Sequence, residues 1–166
     1  MIHVEIANEQ SKYVFDAELL QEAVRIVARG ESVDTADVSV AIVDDALIRD
    51  LNRKYLQHDY ATDVLSFLLS GLGEPMEGEI VVSADTAARE AVRYEWSVAD
   101  ELLLYVIHGA LHLVGYDDAS DEQRETMRRK ERDYLAELGR SPACDERRMT
   151  ATDSLATHSA EGEPRS

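Results

Sequence analysis

Two histidines, His108 and His112, stand four residues apart in a stretch that is otherwise almost wholly apolar. On an α-helix that spacing puts both imidazoles on one face, one turn apart. Two ring nitrogens so placed can converge on one metal ion. The chain continues Leu113-Val114-Gly115-Tyr116-Asp117-Asp118. Gly115 allows the left-handed turn that ends a helix and reverses the chain. The reversal can bring a side chain a few residues later back to the histidine face. Asp118 is placed for that, with Asp117 as its competitor. Two histidines and one carboxylate with an open fourth position make a catalytic zinc arrangement.

The plainer reading is that paired helix histidines are ordinary core or surface residues, and that an Asp just before a helix caps it. Two features weigh against it. An imidazole inside an apolar helix needs a partner, which a metal supplies, and Ser120 is the better cap for the next helix. Metallopeptidases of the zincin type carry Glu directly after the first His as general base. Here that position is Gly109, so a peptidase would lack its proton acceptor. A metal hydrolase drawing its base from elsewhere remains open.

The elements that must carry these residues follow from periodicity. Ile2 to Ile6 alternates as a half-buried strand, Val38 to Val43 reads as a second, Val64 to Leu69 as a third and Glu79 to Ser83 as a fourth. Gly71 to Gly78 reads as a loop. Asp16 caps a helix to about Arg29, with Gly30 just past its end. Asp44 or Asp45 caps another through Tyr55. Ala84 to Tyr94 is a third helix. Ser97 opens the helix that bears the histidines, which is apolar nearly all round and therefore buried. Ser120 and Gln123 form a capping box for a last amphipathic helix ending at Gly139. Four strands early and three helices late predict an α+β domain.

The chain has 166 residues, with 34 acidic against 17 basic side chains and a net charge of −17. Residues 1–139 form one domain large enough for its own core. From Arg140 the periodicity stops, and 140–166 reads as a disordered tail that includes the one cysteine, Cys144. No apolar run reaches the length of a membrane span, and the start at Met1-Ile2-His3 lacks the basic segment of a signal peptide. A soluble cytoplasmic protein without a membrane partner is expected. The charge argues against nucleic acid, which normally requires a basic face. The basic groupings are Lys12, Arg53 and Lys54, and on the last helix Arg124, Arg128, Arg129, Lys130 and Arg132. The plain reading of the last set is a solvated face with i, i+4 pairs to Glu125 and Glu131.

The run from His108 to Asp118, His-Gly-Ala-Leu-His-Leu-Val-Gly-Tyr-Asp-Asp, closely resembles the signature of the YbeY family, HGxLHLxGYDH. Leu51 to Phe67 resembles the family's LNxxYxxxDxPTDVLSF segment, and Gly78 to Ser83 its GDIVIS strand. The likeness spans residues 1–139. It implies a mixed four-stranded sheet packed with helices, a zincin-like site on the central buried helix, and one Zn2+ on His108, His112 and position 118. It further implies a single-strand-specific endoribonuclease acting on precursor 16S rRNA and in ribosome quality control, with ribosomal small-subunit or assembly proteins as partners. Position 118 is usually His and is Asp here. Many members carry at position 56 an Arg proposed to act in RNA cleavage; here it is Leu56, and Arg53 or His58 are the substitutes at hand. Asp63 and Ser66 are further candidates for the cleft, although Asp63 can equally cap a turn and Ser66 alternate inward in the sheet. The competing functions are a metallopeptidase-like hydrolase and an assembly factor whose metal is structural.

Overall fold

The structure, a computed structural model, describes residues 1–141. The elements run β1 Ile2–Asn8, α1 Ala17–Gly30, β2 Ala36–Val43, α2 Asp45–Leu56, β3 Val64–Leu68, β4 Met76–Ser83, α3 Ala84–Tyr94, α4 Val98–Leu113 and α5 Asp121–Glu137. The strands form one mixed sheet in the order β1-β2-β4-β3. β1 and β4 both pair parallel to β2, and β3 pairs antiparallel to β4. This is the expected α+β class. The proposed tail and Cys144 fall outside the described residues, apart from the tail's first two.

Strand alternation sorts the core into two layers. Val38, Val40, Ile42, Val64, Ile80 and Val82 face a large cluster that takes in the buried sides of α1, α3, α4 and α5. The opposite face, with Val43, Leu65 and Val81, packs on Ile48 of α2. α4 is the centre of the larger layer. Every residue from Glu101 to Leu113 is buried, as an all-round apolar helix must be.

Helix ends follow the polar residues read from sequence. Asp16, Asp44, Ser97 and Ser120 each accept a hydrogen bond from a first-turn amide, and Ser83, read from sequence only as the end of a strand, does the same for α3. Asp44 is the cap of α2; Asp45 instead accepts from the hydroxyls of Ser83 and Thr86 and pairs with Arg89, tying α2 to α3.

Two expectations are corrected. β4 begins at Met76, inside the stretch expected to be a loop. Gly78 is a strand residue there, paired with Val38 and Leu68. A β-carbon on Gly78 would stand 2.8 Å from the Leu113 methyl carbons, so glycine lets α4 lie close on the sheet. Gly30 is the last residue of α1, not the residue beyond it, and the left-handed position is Ser32 at φ 64°. What requires glycine at 30 is the Tyr134 ring, whose Cε1 would lie 2.9 Å from a β-carbon.

Candidate metal centre

His108 and His112 project from α4 into a buried corner, with ring centroids 4.6 Å apart. α4 then ends as Gly115 takes φ 112°, its amide donating to the His112 carbonyl and the Tyr116 amide to the Leu111 carbonyl. The chain doubles back and delivers Asp118, 1% exposed, to the two rings. The Tyr116 hydroxyl secures the turn by donating to Glu31 at 2.6 Å, a carboxylate that also accepts from Tyr134 and from Lys130. The Arg124 guanidinium donates to the Asp118 and Ala119 carbonyls.

Three ligand atoms converge. His108 Nε2 and His112 Nε2 are 3.0 Å apart, and Asp118 Oδ2 lies 3.4 Å from the first and 3.3 Å from the second. Tetrahedral ligands at the ~2.0–2.1 Å usual for zinc lie about 3.3 Å from one another, so the triangle already has the dimensions of one face of such a shell. Both Asp118 carboxylate oxygens are buried and, among the described residues, meet no well-aligned hydrogen-bond donor, Oδ2 facing only the two ring nitrogens, a costly state that a cation relieves. The residues therefore fit a metal, and His108, His112 and Asp118 are a group that could hold one.

Electrostatics point the same way. Burial disfavours charge on His108, yet the Asp118 and Glu131 carboxylates facing its two ring nitrogens outweigh it and hold the ring well above the usual histidine pKa. Burial would raise Asp118, but the two imidazoles reverse this and hold its carboxyl well below the usual carboxylate range. A metal bound there would compete with a proton for the nitrogen that His108 turns toward His112 and Asp118.

Of the two competing aspartates, Asp118 joins the histidines, while Asp117 is half-buried and outside the group. Gly109 faces the sheet: a β-carbon there would come within 2.7 Å of Ile80 Cγ2 on β4. The position at which zincin peptidases carry their general base thus points into the core, with no room for a Glu.

The remaining candidates lie on α2, on the loop after it and on β3. Arg53 is exposed and paired with Asp50 and Asp59. His58 stacks beside Tyr60 at 5.5 Å. Asp63 Oδ1 accepts from the Val64 amide at 2.8 Å, the turn-capping role that is its plain alternative. Ser66 is buried on β3 opposite Ile80, and so faces the α4 side of the sheet.

Sequence reasoning missed Glu131. Its charged neighbours on α5 suggest a solvated face, but it is 6% exposed, and its Oε2 lies 2.7 Å from His108 Nδ1. A signal was available. Glu131 falls on the same helical stripe as Met127, Tyr134 and Leu135, all buried. A carboxylate on the apolar side of an amphipathic helix requires a partner.

A mixed α+β sheet whose central helix presents two histidines to a returning carboxylate defines an α+β protein with a candidate metal site on its buried helix. Residues 5–139 match the family model described as Endoribonuclease YbeY, and the chain belongs to that family. It is 40% identical over 133 residues to the Endoribonuclease YbeY of Chloroherpeton thalassium, covering 80% of this chain and 94% of the relative. With that of Salinibacter ruber it shares 41% identity over 138 residues, covering 78% and 88% of the two chains. With that of Rhodopirellula baltica it shares 50% over 117 residues, 69% of this chain and 59% of the longer relative. The solution structure of TM1509 from Thermotoga maritima superposes with a TM-score of 0.56 at 29% identity, covering 83% of this chain and 91% of that one. No helix among the described residues is long and apolar enough to cross a membrane.

Proposed function

We propose that this chain is a zinc-dependent, single-strand-specific endoribonuclease that acts in 16S rRNA maturation and ribosome quality control in the cytoplasm. Residues 1–139 are its working domain, and small-subunit or assembly proteins are its partners. The observation that carries the reading is the buried triangle of His108, His112 and Asp118 in a chain of the YbeY family. A zinc ion held there would supply positive charge for the phosphoryl oxygens and lower the pKa of a bound water toward ~7. His108 and His112 offer neutral nitrogens, and Asp118 offsets one unit of the ion's charge. Arg53, His58, Asp63 and Ser66 are the candidates for contacting the RNA strand.

Net charge shapes how RNA reaches the site. An acidic body of −17 repels bulk phosphate, so recognition falls to a local cationic cleft to which the ion contributes. Weak affinity for random RNA in isolation follows, with substrate delivered by a ribosomal partner.

Leu56 favours a second reading. It packs with the small cluster on α2 in place of a cationic side chain, as expected for an assembly factor with a structural metal. The deciding experiment measures zinc content and cleavage of single-stranded RNA, with and without chelator, for the parent and His112→Ala. Chelator-sensitive cleavage that is lost in His112→Ala supports the nuclease. Stoichiometric zinc with absent or chelator-insensitive cleavage refutes it and leaves the assembly factor.

A further inference from the structure

We propose that Glu131 is the positioning residue of the metal centre, holding His108 in the one tautomer and orientation that present Nε2 to the ion. The inference rests on the metal reading of the site and is independent of whether RNA is cleaved. His108 uses its two ring nitrogens on opposite sides. Nε2 faces His112 and Asp118, while Nδ1 lies 2.7 Å from Glu131 Oε2. The carboxylate accepts, so the ring nitrogen donates, and an Nδ1–H leaves the lone pair on Nε2. Neutral imidazole offers only one lone pair; without an acceptor beside Nδ1 the proton can sit on Nε2 and block the ligand position. An outer carboxylate also makes the ring a stronger donor to the metal.

Glu131 is suited to this because it is held rigidly. Met127 and Leu135, one turn to either side on α5, are 2% and 1% exposed and are locked in the main core. The α5 backbone that carries Glu131 is therefore fixed against the core, and Glu131 itself is 6% exposed. The turn that delivers Asp118 leads directly into α5 at Ser120, so a single segment supplies both a ligand and the support for another.

The main alternative role is a structural tie between α4 and α5, and Glu131→Met separates the two. Methionine keeps the length and packs in an apolar setting, but accepts no hydrogen bond from Nδ1. Zinc affinity is measured by competition with a chromophoric chelator at fixed pH, together with the melting temperature of the metal-free protein. The His108 Nδ1–H resonance of the zinc-loaded protein is followed by NMR. The expected result is a loss of ~10–100-fold in zinc affinity with the protected Nδ1–H resonance gone; a structural tie alone would lower the metal-free melting temperature and leave zinc affinity at the parent value. Glu131→Gln, which still offers an acceptor oxygen, should keep the resonance and lose less affinity than Glu131→Met. Parent-like zinc binding in Glu131→Met overturns the proposal, and so does Glu131→Gln binding as weakly as Glu131→Met. If Glu131→Met fails to fold, Glu131→Gln decides: a lost Nδ1–H resonance together with parent-like affinity overturns it. A parent protein that binds no zinc refutes the metal reading itself, which is a different result from a parent that binds and variants that do not differ.

Discussion

Replacing Gly109 with alanine should destabilise the metal-free protein, although alanine is the better helix former. The propensity gain is about 1 kcal/mol in a helix interior. Against it, the new β-carbon stands 2.7 Å from Ile80 Cγ2, roughly 1 Å inside the ~3.5–4.0 Å optimum for carbon pairs. Ile80 is 0% exposed, and its Cγ2 branches directly from its own β-carbon, so it cannot rotate away into space. Overpacking of this kind costs ~1–3 kcal/mol, and the net loss is therefore ~0–2 kcal/mol. Urea unfolding with chelator present measures it without a contribution from metal binding. A double-mutant cycle isolates the cause. Ile80→Ala alone should cost ~2–5 kcal/mol, but in the Gly109→Ala background it also removes the clash. The pair should then be less destabilised than the sum of the singles by the ~1–3 kcal/mol of overpacking. If Gly109→Ala stabilises by the full ~1 kcal/mol and the cycle is additive within ~0.5 kcal/mol, α4 is not pressed on β4 and the account of this position is wrong.

Asp118→Ala should weaken zinc binding by more than the ~10–100-fold typical of losing an outer partner, while Asp117→Ala leaves it unchanged; a chelator-competition titration reads both, and the reverse pattern exchanges their roles. Zinc at a hundred times its dissociation constant should add ~2.7 kcal/mol, or ~5–11 °C in melting temperature, measured by calorimetry with and without chelator. The pH dependence of the metal-free protein has two limbs. The pKa values of Glu31 and Asp45 are lowered from 4.5 and 3.8 by partners that outweigh burial: Tyr116, Tyr134 and Lys130 for the first, Ser83, Thr86 and Arg89 for the second. Their contribution is complete above those values and fades as pH falls below them. His108 is raised from 6.5, so its contribution is complete below that value and is lost as pH rises through its folded pKa. Melting temperature should therefore peak between about pH 4.5 and 6.5. Glu31→Gln should make the acid limb shallower, the rest coming from Asp45 and from Asp118, whose carboxyl the two imidazoles hold low, and an unchanged limb in that variant would remove Glu31 as a source.

The sequence alone determined what depends on local spacing. His108 and His112 share a helix face because residues four apart must, and Gly115 ends that helix because a residue without a β-carbon can take φ 112°. Caps at Asp16, Asp44 and Ser120 were legible for the same reason: a short polar side chain meets amides two or three residues on. What tertiary structure decided is what depends on which faces meet. Spacing favoured Asp118 and left Asp117 as a competitor, and the packed turn, held by Tyr116 on Glu31, brings Asp118 to the histidines. Gly30 and Gly78 looked like turn residues, yet they are glycine because Tyr134 and Leu113 lie against them from distant elements. Glu131 looked like one charge among many on a polar helix. Its meaning appears only when α5 lies along α4, because a buried hydrogen bond across 23 residues of sequence leaves no local periodic trace beyond a carboxylate on the wrong side of a helix.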